Sequence, residues 1–317
     1  MTRNITRILV PTDFGAAGDA ALAYARRLAA PFGAEVHLVH TFEDPFTTAA
    51  FAPEIYAPVP DSVRDDTIRN VRQQLAERLA GATAPVNASS EVLTGTTAGS
   101  IVDYARFIDA DVIVMGTHGR GGMAHLLLGS VAERVVRTAP CPVLTVRLTP
   151  ARATVKRLLV PTDFSATSDE ALDYALLLAE RLGAAVQLLH VLEDPLVAEG
   201  LAAEAYIAEA PTMRTAMLRD AQDRLRHRVV PSPPGVDITT EVLFGHGAGT
   251  ITEYANARGI DVIVMGTHGR TGVAHLLLGS VAERVVRTAP CPVLTVRQPR
   301  AKTAAAPLEY DVEHLPA

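Results

Sequence analysis

The sequence predicts an α/β protein made of two consecutive units of the same fold. Residues 111–147 and 261–297, displaced by 150 positions, agree everywhere except at Gly121/Thr271 and Met123/Val273. Within each copy, short apolar runs alternate with stretches of helical periodicity. That alternation implies βαβ crossovers, a parallel sheet and helices on both of its faces.

In the first copy, residues 8–10 form an apolar strand stopped by Pro11-Thr12-Asp13, and 20–30 carry apolar residues at helical spacing. Residues 34–40 alternate as a second strand. Residues 43–60, like 193–212 in the second copy, are acidic and loosely patterned and read as variable loops or lids. A polar helix is expected over 61–79, a third strand and helix over 89–93 and 101–107, and a wholly apolar strand over 112–115. Wholly apolar strands suit parallel sheets covered on both faces. A helix over 129–138 and a last strand over 143–146 complete five strands per copy. The domains are expected at 1–150 and 151–298, with a poorly ordered tail over 299–317.

The last strand follows Pro140-Cys141-Pro142, and proline at a strand start is typical of sheet edges. An apolar edge left open invites aggregation. Pairing 143–146 with 293–296 buries both edges, so the two halves are expected to meet through their last strands. Further association of two chains stays open.

Bulk composition excludes several classes. A net charge of −6 lacks the basic footprint of a nucleic-acid or anionic-membrane binder. No apolar run approaches the ~20 residues of a membrane span, and residues 1–4 lead into a strand pattern without an apolar leader, so a cytoplasmic location is expected. Cys141 and Cys291 occupy one apolar context in both copies and read as small core residues.

The chemistry concentrates where strands end. Gly116 closes the fourth strand, Gly119 follows, and Gly129-Ser130 opens a helix, giving G-x-x-G-x9-G-S; Gly266, Gly269, Gly279 and Ser280 repeat it. Glycine lets a backbone approach a ligand with no Cβ between them. A helix amino terminus offers free N–H groups and about half a positive charge, which suits phosphate. Arg120 and Arg270 can add charge-assisted contacts. Taken alone, Ser130 and Glu133 also read as a capping box that needs no ligand. The only lysines are Lys156 and Lys302, so no Walker-type loop is present. Asp13 and Asp163 suit a ribose hydroxyl or an adenine amino group, or equally the cap of the next helix. His118, His125, His268 and His275 read as loop or surface residues, with His118 and His268 nearest to any phosphate.

These residues resemble the universal stress protein family in its tandem form, over nearly all of 7–147 and 157–297. The resemblance implies Rossmann-like sandwiches with strand order 3-2-1-4-5, and its complete glycine motif implies the ATP-binding branch. It places Pro11, Thr12, Asp13 and Thr41 at the adenosine, Gly116 near the ribose, and Gly119, Arg120, Gly129, Ser130 and Val131 around the phosphates, with Met115 and His118 counted among the nucleotide-binding residues beside them. In the second copy the same places fall to Pro161, Thr162, Asp163, Val191, Met265, Gly266, His268, Gly269, Arg270, Gly279, Ser280 and Val281. Thr41 departs from the apolar residue usual at its position, as do Gly95-Thr96-Thr97 and Gly245-His246-Gly247 from the usual Gly-x-Pro turn. The implied ligand is ATP, with or without Mg2+, and the implied role is a nucleotide-dependent regulator of the stress response acting on an unidentified protein partner. Two other classes stay open: a slow ATPase or phosphotransferase using Asp13 and Asp163, and a nucleotide-free interaction protein.

Overall fold

The structure, a computed structural model, describes residues 4–43, 61–81, 86–117, 128–148, 154–193, 204–229, 233–267 and 278–297, with backbone only at 61 and 204–210. The first half runs β1 (Arg7–Pro11), α1 (Ala16–Ala29), β2 (Glu35–Phe42), α2 (Asp61–Ala80), β3 (Ala88–Thr94), α3 (Thr97–Phe107), β4 (Val112–Gly116), α4 (Ser130–Thr138) and β5 (Val143–Val146). The second half repeats it as β6 (Arg157–Pro161), α5 (Ala166–Leu182), β7 (Ala185–Leu192), α6 (Glu204–Arg228), β8 (Ile238–Phe244), α7 (Gly247–Ala257), β9 (Val262–Gly266), α8 (Ser280–Thr288) and β10 (Val293–Val296).

All these strands join one sheet of order β3-β2-β1-β4-β5-β10-β9-β6-β7-β8. Each half is parallel and ordered 3-2-1-4-5, as the resemblance implied. At the centre β5 and β10 run antiparallel, with Leu144 opposite Leu294. Thr145 Oγ1 donates to Val293 O and Thr295 Oγ1 to Val143 O, both at 3.1 Å. Pairing of the last strands therefore removes both apolar edges, as expected. The geometry has a further consequence. Because the two parallel halves meet antiparallel, their carboxyl ends point to opposite edges of the sheet.

Helices cover both faces. On one face a single apolar cluster runs through both halves, from Ile8, Val10 and Leu38 near α1 to Leu158, Val160 and Leu188 near α5. On the other face α3 and α4 cover one cluster and α7 and α8 a second. Leu128 and Leu278 pack against both of these clusters. Val112 to Met115 are all buried, as their apolar run predicted. At the edge away from the carboxyl ends, Asp111 Oδ2 accepts from the backbone N–H of Thr6 and Arg7 at 2.6 and 3.0 Å. Asp261 does the same for Lys156 and Arg157. These contacts fix β1 beside β4 and β6 beside β9, which sets the register of the central crevices.

The cysteines are core residues, as read. Cys291 is buried, Cys141 packs against the α3–α4 cluster, and neither is in a disulfide. Burial pushes the Cys141 thiol up to about 12, so it stays protonated and inert. Two expectations change. Helix α1 begins at Ala16 rather than 20 and α3 at Thr97 rather than 101, because the strand-end turns lead straight into them. The loop expected over 193–212 is shortened, since α6 takes in 204–212 with Pro211 inside it. Among the described side chains of this helix the buried ones, Ala221 and Leu225, lie in its later half. The readings of 44–60, 194–203 and the tail from 298 fall outside the described residues. Among the described residues no helix is long and apolar enough to cross a membrane.

Candidate functional site

In an open parallel sheet the winding direction reverses between the first and fourth strands, and the crevice there opens beyond their carboxyl ends. That crevice in the second half, between β6 and β9, is a cavity of about 660 Å3. Its size is that of a small-molecule site. It brings together Pro161, Thr162, Asp163, Val191, Met265, Gly266, Gly279, Ser280 and Val281, all expected from sequence.

The Pro-Thr-Asp turn is built from its own side chains. Thr162 Oγ1 accepts from the N–H of Phe164 at 3.0 Å, and Asp163 Oδ1 accepts from the N–H and hydroxyl of Ser165 at 3.1 and 2.6 Å. In the first half Thr12 and Asp13 accept from Phe14 and Gly15 in the same way, at 3.0 and 2.9 Å. The aspartates thus shape the turn, while Gly15 and Ser165 occupy the helix caps. Phe14 and Phe164 each sit at φ 65°, a left-handed conformation costing about 1–2 kcal/mol for a bulky residue. Aromatic and cationic neighbours offset that cost. His40 stacks on Phe14 at 4.4 Å and His190 lies tilted against Phe164 at 4.3 Å, while Arg78 and Arg228 lie over the same rings at 4.7 and 4.8 Å. Each histidine Nδ1 donates to the threonine carbonyl, 2.7 Å to Thr12 O and 2.6 Å to Thr162 O, because a carbonyl can only accept. Sequence reasoning missed His190, Phe164 and Arg224, all on the cavity wall. For the first two a signal existed, since His40/His190 and Phe14/Phe164 are identical at the repeat displacement.

The glycines divide into two kinds. A Cβ on Gly116 would lie 2.9 Å from the backbone of Ala17, and one on Gly266 3.0 Å from that of Thr167. These positions are glycine because α1 and α5 cross the strand ends at close range, which leaves the crevice floor bare. Gly129 and Gly279 serve differently. Gly129 N donates to Thr117 O and Gly279 N to Thr267 O, each at 2.8 Å, tying each helix start to the residue that follows the fourth strand of its half. His118, Gly119, Arg120, His268, Gly269 and Arg270, with His125 and His275, lie outside the described residues.

The capping-box reading of Ser130 and Glu133 is corrected. The N-caps are Gly129 and Gly279, which carry no side chain, and among the described residues no side chain caps either helix. Glu133 and Glu283 turn instead along the helix surface to Arg137 and Arg287, at 3.6 and 3.1 Å. With Gly129 at the cap, Ser130 is the first helical residue, one place too late to cap. The uncapped first turn of α8 therefore faces the cavity through Gly279, Ser280, Val281 and Ala282. Uncapped first-turn N–H groups and the helix dipole together attract an anion.

The first half places Pro11, Thr12, Asp13, Met115, Gly116, Gly129, Ser130 and Val131 on the same elements. Thr41 lies on β2 opposite Leu93, and its buried Oγ1 has no hydrogen-bond partner among the described residues. Glu43 accepts from Thr97 N at 3.1 Å and from its hydroxyl, and these bonds hold the Glu43 carboxyl below its usual value. In the second half Gly247 replaces Thr97, and Glu193 lines the cavity.

Comparison with known proteins gives one answer. The model of the universal stress protein family matches residues 4–147 and again 154–297. A universal stress protein of Methanocaldococcus jannaschii is 39% identical over 147 residues, 46% of this chain and 84% of that protein. One of Mycobacterium tuberculosis is 31% identical over 233 residues, 71% of this chain and 74% of that protein. Among solved structures, a universal stress protein from Archaeoglobus fulgidus superposes with a TM-score of 0.63 at 20% identity, covering 93% of this chain and 97% of that one.

Proposed function

The chain belongs to the universal stress protein family, and from that premise we propose that it binds ATP in two crevices and acts as a nucleotide-dependent regulator. One observation carries the reading: in each half a helix with a glycine at its N-cap, and no side-chain cap among the described residues, begins beyond the carboxyl ends of the parallel strands, and in the second half it opens on a cavity of about 660 Å3. Such a start receives phosphate through its first N–H groups. Val191, Ile251 and Met265 give the same cavity an apolar lining that suits a base, and Asp163, also on the lining, offers a carboxylate that a sugar hydroxyl would donate to.

Among the described residues no three His, Cys, Asp or Glu side chains converge on one point. A Mg2+ ion accompanying the nucleotide would take phosphate oxygens and water, joined by at most one or two carboxylates such as Asp163, as its ligands. Helix α6 and the end of β7 line the cavity beside the turn, so occupancy would alter the surface they offer to a partner.

The test is calorimetric titration of the full chain with ATP, alongside Gly129→Trp, Gly279→Trp and the double variant. The expected result is two equivalents for the parent, one for each single variant and none for the double. Heat that survives the double variant unchanged, or a parent that takes up no nucleotide, overturns the proposal.

A further inference from the structure

The short helix at each candidate site is tied to the opposite half of the chain. Helix α8 has nine residues, too short to hold its shape by its own hydrogen bonds. Its last carbonyls have no partners within the helix. Arg147, which follows β5 of the other half, supplies them: Nη2 donates to Arg287 O at 2.6 Å and Nη1 to Ala289 O at 3.0 Å. The relation is reciprocal. Arg297, which follows β10, donates through Nη1 to Arg137 O in the last turn of α4. The cause is topological, because antiparallel pairing of β5 with β10 delivers the end of each strand to the far end of the other half's helix.

The amino-terminal ends are tied as well. Leu128 and Leu278, immediately before the capping glycines, each pack against the clusters of both halves. A continuous path then joins the two crevices. Gly129 N donates to Thr117 O at 2.8 Å, Thr117 N to Val146 O at 3.1 Å, and the next residue, Arg147, holds the carboxyl end of α8. From the other side Gly279 N donates to Thr267 O at 2.8 Å, Thr267 N to Val296 O at 2.9 Å, and Arg297 holds α4.

We propose that Arg147 and Arg297 are positioning residues acting in trans, each setting the anion affinity of the crevice in the opposite half by fixing its phosphate-facing helix. This rests on the nucleotide-binding reading above. A cation at a helix carboxyl terminus stabilises the helical state, and an anion at the amino terminus binds only to that state. Loosening the far end therefore lowers the fraction of helix ready to bind.

The experiment uses the full chain with one site blocked. In the Gly129→Trp background, where the second-half crevice alone titrates, Arg147→Gln should weaken ATP about three- to tenfold. Arg147→Lys should recover part of the loss, and Arg297→Gln should leave that crevice unchanged. In the Gly279→Trp background the two arginines should exchange roles. Amide hydrogen exchange without nucleotide gives a second readout: Arg147→Gln should speed exchange in Ser280–Thr288 and leave Ser130–Thr138 as it was. Equal weakening of both crevices by either variant, or weakening of the crevice in the arginine's own half, overturns the trans assignment, as does no effect. A parent chain that binds no ATP, with exchange changed only across the dyad, removes the nucleotide reading and the affinity claim together and leaves only a structural cap.

Discussion

The side of each crevice facing the α4 or α8 amino terminus is one structure built twice, whereas the opposite wall is two different structures. The capping glycines have φ/ψ of −60°/143° and −59°/142°, and the residues that follow are identical along both helices. Across the crevice the second half presents Met217, Asp220 and Arg224 from α6, where the first has Thr67, Asn70 and Gln74 at the same displacement. Val191 is matched by Thr41, and Gly247, which sits against Val281 at the α8 start, by Thr97. On the proposed reading, backbone N–H groups receive an anion in only one geometry, which would hold the side they form constant. A wall of side chains tolerates exchange, and here the two halves line it with different residues.

The largest effect expected from testing this comparison is on the common frame. Gly116→Val and Gly266→Val each push a side chain into helix backbone at 2.9–3.0 Å, and each should cost about 2–3 kcal/mol in urea unfolding. A loss in only one half would break the equivalence of the two frames.

Next comes charge at the helix start. Val281, 40% exposed on the cavity, and Val131 both lie in the first turn. Val131→Asp or Val281→Asp should weaken ATP roughly tenfold at its own crevice through repulsion, yet leave thermal stability equal or higher, since an acidic residue suits a helix start. ATP affinity that follows stability upward would contradict an anion site.

A smaller effect separates the walls. Arg224 lies 3.9 Å over the Phe164 ring, and Arg224→Gln should destabilise the second half by about 0.5–1 kcal/mol. It should also shift nucleotide preference of that crevice toward that of the first, read by competition among ATP, GTP and CTP. Gln74→Arg should do the reverse.

The smallest effect separates the halves by pH. The Glu43 carboxyl is held below its ordinary value by the Thr97 bonds. A depressed carboxylate contributes stability above its unfolded value, and that stability is lost as pH falls through the folded value. Wild type should thus exceed Glu43→Gln in stability at neutral pH, and the gap should close below about pH 4. Thr97→Gly, which copies Gly247 of the second half and removes the hydroxyl that donates to Glu43, should narrow that gap in thermal melts across the same range.

Much of this was legible in the sequence. The β-α alternation, the buried run at Val112, the pairing of Val143–Val146 with its counterpart and most of the second crevice all follow from periodicity, the repeat and the family resemblance. What escaped is tertiary. Ser130 and Glu133 have the spacing of a capping box, but the cap position is decided by the bond from Gly129 to Thr117, which no local pattern announces. His40, Phe14 and Arg78 stack only because β2, the β1 turn and α2 converge. The trans contacts of Arg147 and Arg297 require the antiparallel join to be known first. Their common mark is identity between copies, which the eye credits to the glycine motif alone.

The most direct measurement follows backbone N–H resonances of the isotopically labelled full chain during titration with ATP and, separately, with adenosine. Ser130, Val131, Ser280 and Val281 should shift strongly with ATP and little with adenosine, while residues of the facing walls respond to both. Helix-start resonances that ignore ATP while the chain binds it elsewhere would contradict an anion seat at these helix starts.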